Sequence, residues 1–183
     1  MGAKIECLSD AECLRNFRCG VTEMDDFIQN GLRWSVEHHF CQVYLVKDDD
    51  DIIVALFALS FDSLEIDAED KMDIVEGRAG DMMLSEEYKE VFFSKTHYPA
   101  LGLTYLAVSE NFQRQGWGKW IVEVIVEKAR SQTFAGCQFL AVDALIGERN
   151  NTIPFYTQCG FIPSENPSPW KDTRRMFRML YTE

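Results

Sequence analysis

In "MDDFIQNGLRWSVEHH" the apolar residues Met24, Phe27, Ile28 and Leu32 recur every three or four positions, the spacing of an amphipathic helix. Thr22 with Asp25 predicts a capping box at its start, Asp standing in for the usual Glu. Ahead of it, "AKIECLS" reads as a short strand. After it, "FCQVYLV" and "IIVALFALS" read as strands joined by a solvated "KDDDD" tip. Helical spacing returns in "SLEIDAEDKMDIVEG" and "LSEEYKEVFF", segments placed to cover a sheet or to border a groove. "LGLTYLAV" is apolar on both faces, as a central strand would be. Residues 117–132 form a helix with one charged stripe, Lys119, Glu123, Glu127 and Arg130, and are otherwise apolar, so most of it is buried against a sheet. "CQFLAVDAL" is the next strand. "NNTIPFYTQ" is a short helix that tolerates Pro154 only in its first turn, and Cys159-Gly160 ends it. "FIP" opens a strand and "RMFRMLY" supplies the last.

Strand–helix–strand–helix–strand is the order of an α/β sheet, with parallel pairing around the central crossover. The 183 residues fit one domain, with halves at 1–98 and 99–183. There is no repeat and no low-complexity segment. No apolar run is long enough to span a membrane, and the first residues lack a signal peptide's apolar core, so a cytoplasmic protein is expected. Met1-Gly2 is no myristoylation signal, because Glu6 stands where Ser or Thr is needed.

Two further features narrow the chemistry. Cys7, Cys13 and Cys19 are spaced by six, which is not the close pairing of a zinc site, and the six cysteines are expected to be reduced, small and buried; no metal is expected. The net charge is −12, and residues 48–90 hold 15 acids against Lys71, Arg78 and Lys89. Such a chain repels nucleic acid on average and admits a small or cationic acceptor more readily.

The chemistry concentrates at "NFQRQGWGKW", residues 111–120. A strand ending at Val108, a loop with Gly116 and Gly118, and a buried helix starting near Trp117 together leave unpartnered helix N-terminal amides facing out at the positive end of the dipole. Glycines let a ligand approach the backbone, and Arg114 and Lys119 add positive charge, which makes an anion site suited to phosphate. A bare strand–helix turn is the other reading. The loop lacks the third glycine of the dinucleotide fingerprint and the Gly-Lys-Ser/Thr ending of the P-loop.

Gln113-x-x-Gly116-x-Gly118 resembles the Gln/Arg-x-x-Gly-x-Gly/Ala motif of the GCN5-related N-acetyltransferase (GNAT) family. "YLAVSENFQRQGWGKWIVE" resembles that family's strand, loop and helix, and "FYTQCGF" its Phe-Tyr-x-x-x-Gly-Phe element. The resemblance covers most of residues 100–181. It implies a single-domain α/β fold with a mixed central sheet of about six or seven strands, splayed at the cofactor cleft and flanked by helices, with 1–98 as the acceptor side and 99–183 as the cofactor side. It implies acetyl-CoA as cofactor, direct attack of an amine on the thioester, and the class of acyltransferases.

By position, Gln113, Arg114, Gln115, Gly116, Trp117, Gly118 and Lys119 would hold the pyrophosphate, mainly through amides. Leu106, Ala107 and Val108 would pair their backbone with the pantetheine arm. Tyr156 corresponds to the family tyrosine beside the thioester sulfur, a general acid that is protonated at neutral pH. Where the family often has Asn and Ala, this chain has Arg149 and Thr152, so Asn150 or Asn151 would take over a contact to CoA. No base stands out: Asp62, Glu65, Glu110 and His97 lie near strand ends, and water serves in many family members.

"FRCGVTEMDDFI", "FIPSENP" and "RRMFRML" resemble one branch of the family, which includes toxins that acetylate aminoacyl-tRNA. Lys171, Arg174, Arg175 and Arg178 are the only concentrated bases, and Arg174 and Arg178 would share a strand face with Arg175 opposite. Three functions follow: an N-acetyltransferase acting on a small-molecule or peptide amine, an aminoacyl-tRNA-acetylating toxin, and a non-catalytic acyl-CoA-binding module. Tyr156 argues against the third and the acidic segment against the second. Nucleic acid is a partner only in the tRNA reading, no membrane is expected, and an exposed C-terminal strand could pair with a second subunit.

Overall fold

A computed structural model of the chain describes residues 2–76, 85–147 and 150–180. Seven strands make one mixed sheet in the order β1-β2-β3-β4-β5-β7-β6. They are β1 (Lys4–Cys7), β2 (Gln42–Lys47), β3 (Ile53–Glu65), β4 (His97–Val108), β5 (Phe139–Leu145), β6 (Ile162–Pro163) and β7 (Thr173–Met179). The helices are α1 (Thr22–Asn30), α2 (Leu32–Glu37), α3 (Ala68–Val75), α4 (Glu86–Ser94), α5 (Trp117–Ser131) and α6 (Ile153–Gln158). β4 and β5 are parallel, as the crossover through α5 requires. Their ladder is three pairs long, Ala100↔Phe139 to Gly102↔Ala141, although β4 has 12 residues and β5 has 7.

Contacts divide the chain into two compact units, 1–60 with 103–123, and 61–102 with 124–183. The first has its own core of Leu14, Phe17, Ile28, Leu32, Val43, Leu56 and Ala107 among others. The second packs Leu64, Ile74, Phe92, Tyr98, Phe139 and Phe177. The divisions fall inside β3, β4 and α5 and do not follow the 98/99 boundary expected from sequence. α5 is apolar where predicted: Trp117, Ile121, Val122, Ile125, Val126 and Ala129 are buried.

Several elements differ from their sequence expectations. The single helix expected over 24–39 is two, broken at Gly31, where a Cβ would come within 2.7 Å of the Phe27 ring. The capping box does not form. Val21, whose side chain cannot hydrogen-bond, is the N-cap in place of Thr22, and the Asp25 carboxylate instead accepts the amides of Cys19 (2.7 Å) and Gly20 (3.1 Å). "SLE" continues β3. The helix begins only after Asp67, whose carboxylate caps Glu69 and Asp70 (3.0 and 2.9 Å). α4 starts at a Ser85 cap, while Gly77 and Leu84, at the ends of the two expected segments, lie outside the described residues.

β7 is not an exposed edge. β6 returns to pair with it through Ile162↔Phe177 and Pro163↔Met176, so β1 and the two-residue β6 are the edges. All six thiols are free, but Cys7, on edge strand β1, and Cys13, in the short turn Ala11–Leu14, are exposed rather than buried.

Candidate active site

The loop after β4 is built by backbone reversal. Arg114 has φ 60 and Gly116 φ 90, both in the left-handed region. For Arg114 that conformation costs on the order of 1 kcal/mol, and glycine carries no such cost. Backbone that alternates between right- and left-handed conformations turns successive N–H groups toward one concavity, which is a nest for anions. Among the described residues, none of the six backbone N–H groups from Arg114 to Lys119 meets a protein acceptor; the first helical bond is Trp120 N–H to the Gly116 carbonyl, 3.0 Å. A Cβ built on Gly116 would meet nothing within 4 Å, so open space stands beside it. Residues 111–120 contain Arg114 and Lys119 and no acid.

The loop's glutamines serve the loop. Gln115 Nε2 donates to the Asn111 carbonyl at 2.9 Å. Gln113 Nε2 donates to two carbonyls, Cys19 at 2.7 Å and Val108 at 3.0 Å. Trp117 is buried, edge-on to Trp120 at 5.9 Å, and seats the first turn of α5. Ala107 is buried, with Leu106 and Val108 half-buried at the end of β4, and the amide of the next residue, Ser109, donates to the Val54 carbonyl at 2.9 Å. Leu106–Val108 and Gln113–Lys119 therefore all belong to the first unit, while Asn150 and Tyr156 belong to the second.

In the second unit Pro154 sits in the first turn of α6, and Gly160 (φ 79) ends the helix as predicted. Tyr156 is buried, its ring edge-on to Phe155 and Phe161 at 5.0 and 5.4 Å. Its hydroxyl has no hydrogen-bond partner among the described residues. Burial, helped by the nearby Cys159 thiol, pushes its phenol well above the usual tyrosine range, so Tyr156 keeps its proton at neutral pH. The Asn151 side-chain oxygen accepts from Ile153 N–H (3.1 Å) at the start of α6, and the half-buried Asn150 side chain has no hydrogen-bond partner among the described residues. Thr152 Oγ1 is held by the Leu145 amide at 2.9 Å.

Sequence reasoning missed two arrangements. Arg175 bridges Asp62 on β3 and Asp143 on β5 (3.1 Å to Asp143), and Ser168 Oγ donates to Asp143 at 2.8 Å. Asp62 is thus committed to an ion pair rather than poised as a base. Arg175 does lie opposite Arg174 and Arg178, which reach Glu165 (3.8 Å) and the Cys159 carbonyl (2.8 Å). His97 is exposed and bonded to Thr96 (2.9 Å), and Glu65 and Glu110 are exposed. The second arrangement is the Cys19–Gly20 segment on the loop; its partners lie about ninety residues apart, so no local pattern reveals it. A cavity of about 480 Å³ lined by Leu8, Asp10, Arg15, Gln29, Arg33 and Glu37 contains none of the predicted site residues, and its arginines are paired with Glu12 and Glu37.

An anion nest after a central strand and a buried, protonated tyrosine on a short helix suit an enzyme that transfers acetyl groups. The chain belongs to that class: the GNAT acetyltransferase domain model matches residues 40–163. It is an N-acetyltransferase, and acetyl-CoA is the donor of its class. Among solved structures it is similar to one described as a bacterial toxin (16% identity, TM-score 0.68, covering 97% of this chain and 91% of the other). It is also similar to a tyrosine-to-phenylalanine mutant of KacT (20%, TM-score 0.66, 98% and 96%). A third likeness is to AtaT complexed with acetyl-methionyl-tRNAfMet (20%, TM-score 0.65, 94% and 93%). At these identities the likeness is one of fold. No curated protein matches the sequence.

Proposed function

We propose that the chain is an acetyl-CoA-dependent N-acetyltransferase acting on a primary amine of a small molecule or peptide. The observation that carries this reading is the run of six backbone amides from Arg114 to Lys119 with no protein acceptor among the described residues, around open space at Gly116, in a stretch (111–120) that holds two cations and no acid. That donor set fits a pyrophosphate and fits poorly any cation or apolar ligand. Leu106, Ala107 and Val108 offer backbone for an extended arm, and Asn150 an uncommitted side-chain amide. When bound, acetyl-CoA supplies an acyl group already activated as a thioester.

Tyr156 holds a proton at Oη and can release it to a leaving group, since burial keeps the phenol neutral. Of the four base candidates, Glu65, Glu110 and His97 are exposed, and Asp62 is tied to Arg175. The amine is taken to arrive neutral or to lose its proton to water. The surroundings are cytoplasmic in this reading, and no described helix is long and apolar enough to cross a membrane.

A second reading, acetylation of aminoacyl-tRNA, is favoured by end-to-end likeness of fold to structures described as toxins, one of them holding acetyl-methionyl-tRNAfMet. Against it, the bases at 174–178 are engaged within the fold and the chain carries −12. CoA release measured over a panel of small amines, peptides and aminoacyl-tRNAs separates the two. Turnover with amines or peptides and none with aminoacyl-tRNA supports the first reading, the reverse supports the second, and no release with any acceptor contradicts both.

A further inference from the structure

The Phe17–Val21 segment and the anion loop are tied together at several points. Glu110 N–H donates to the Arg18 carbonyl at 3.0 Å, and Gln113 Nε2 donates to the Cys19 carbonyl at 2.7 Å. Gly20, at φ 79, packs so closely that a Cβ there would stand 2.7 Å from Glu110 Oε1. On its other side the segment is held by α1, whose Asp25 carboxylate accepts the Cys19 and Gly20 amides. The second N–H of Gln113 closes on Val108, the last residue of β4, at 3.0 Å. Both donors of this side chain are thereby spent on protein carbonyls, one residue before the left-handed turn at Arg114.

We infer that Gln113 is a positioning residue rather than a cofactor ligand: its amide fixes the anion nest to the Cys19–Gly20 segment and, through Asp25, to α1. The inference rests on the acetyl-CoA reading only for its effect on binding. A nest whose φ angles are held before the ligand arrives loses less freedom on binding, and the strain at Arg114 persists only because its surroundings fix it. The Cys-Gly pair of the N-terminal half thus acts on a loop some ninety residues away. Gly20 is required for its positive φ, and a side chain there would also push against Glu110.

The test uses Gln113→Glu, which keeps the shape but turns two donors into acceptors facing carbonyls, and Gln113→Arg, which keeps N–H donors. Gly20→Ala perturbs the other end of the contact. Amide hydrogen exchange at Cys19, Gly20 and Glu110 is followed in the cofactor-free chain, and acetyl-CoA affinity by calorimetry. Gln113→Glu should speed exchange at these three amides and weaken acetyl-CoA about tenfold, the scale of one lost hydrogen bond. Gln113→Arg should restore both to within about threefold, and Gly20→Ala should act like Gln113→Glu without adding fully to it. Unchanged exchange in Gln113→Glu overturns the inference, as does a loss of affinity that Gly20→Ala does not share. If the wild-type chain binds no acetyl-CoA the functional reading fails, while the exchange experiment still decides the role of Gln113.

Discussion

Gly116 and Tyr156 serve the proposed chemistry in different ways. Gly116 contributes a backbone conformation and empty space, so Gly116→Val combines the strain of a β-branched residue at φ 90 with side-chain bulk where a ligand would approach. Acetyl-CoA binding should be lost, measured by calorimetry, with the chain still folded by circular dichroism. Tyr156, in the proposed function, contributes a proton. Tyr156→Phe should lower kcat by about 100-fold, at the low end for a positioned acid, with cofactor affinity nearly unchanged.

The sign of the pH effect follows from burial. The phenol's pKa is raised, so the neutral donor persists beyond pH ~10, the free-tyrosine value, and the rate should not fall on its account at lower pH. An alkaline limb below that value, present in the wild type and absent in Tyr156→Phe, would contradict the raised pKa while leaving Tyr156 as the acid; an unchanged kcat in Tyr156→Phe would contradict the assignment. Both residues stand out in the sequence, because short motifs with fixed spacing carry them. The commitment of Gln113 and Asp62 to internal partners does not, since each pairs with a residue remote in the chain.

Among the elements, periodicity reveals α5, α6 and most strands, because their buried faces repeat within a few residues. It fails where one side chain outweighs the pattern. Gly31 splits the first helix under the Phe27 ring, and Asp67 delays α3 by a cap that leaves "SLE" to β3. β7 illustrates a third limit: its bases look like those of a solvated edge, yet Arg175 is drawn onto two carboxylates and β6 covers the far side. Arg175→Ala would leave Asp62 and Asp143 largely buried and uncompensated. It should destabilise the chain by about 2–3 kcal/mol, somewhat below the cost of breaking a fully buried pair, as read by urea unfolding.

Tyr98, at the start of β4, donates to the Phe92 and Lys95 carbonyls, and burial pushes its phenol up to about 12. Between pH ~10, the unfolded value, and about 12 the folded chain holds a proton that the unfolded chain releases. The stability it contributes is whole below that window and falls as pH rises through it. Tyr98→Phe should flatten this alkaline loss in unfolding curves.

For the whole molecule, the charge of −12 is plain from composition, but its consequence depends on where the bases go. Arg174, Arg175 and Arg178 have partners within the fold, and the charge by composition stays strongly negative. A cationic amine should be drawn in, so its kcat/KM should fall several-fold as ionic strength rises toward about 0.5 M, while a neutral acyl acceptor's should not.

In the proposed function, Arg114 to Lys119 form the pyrophosphate nest of an acetyl-CoA-dependent enzyme. Calorimetric titration of the wild-type chain with acetyl-CoA, beside Gly116→Val, tests this most directly. One-to-one binding by the wild type and none by the variant is the predicted result. Equal affinity in the two, or no binding by the wild type at millimolar acetyl-CoA, would contradict it.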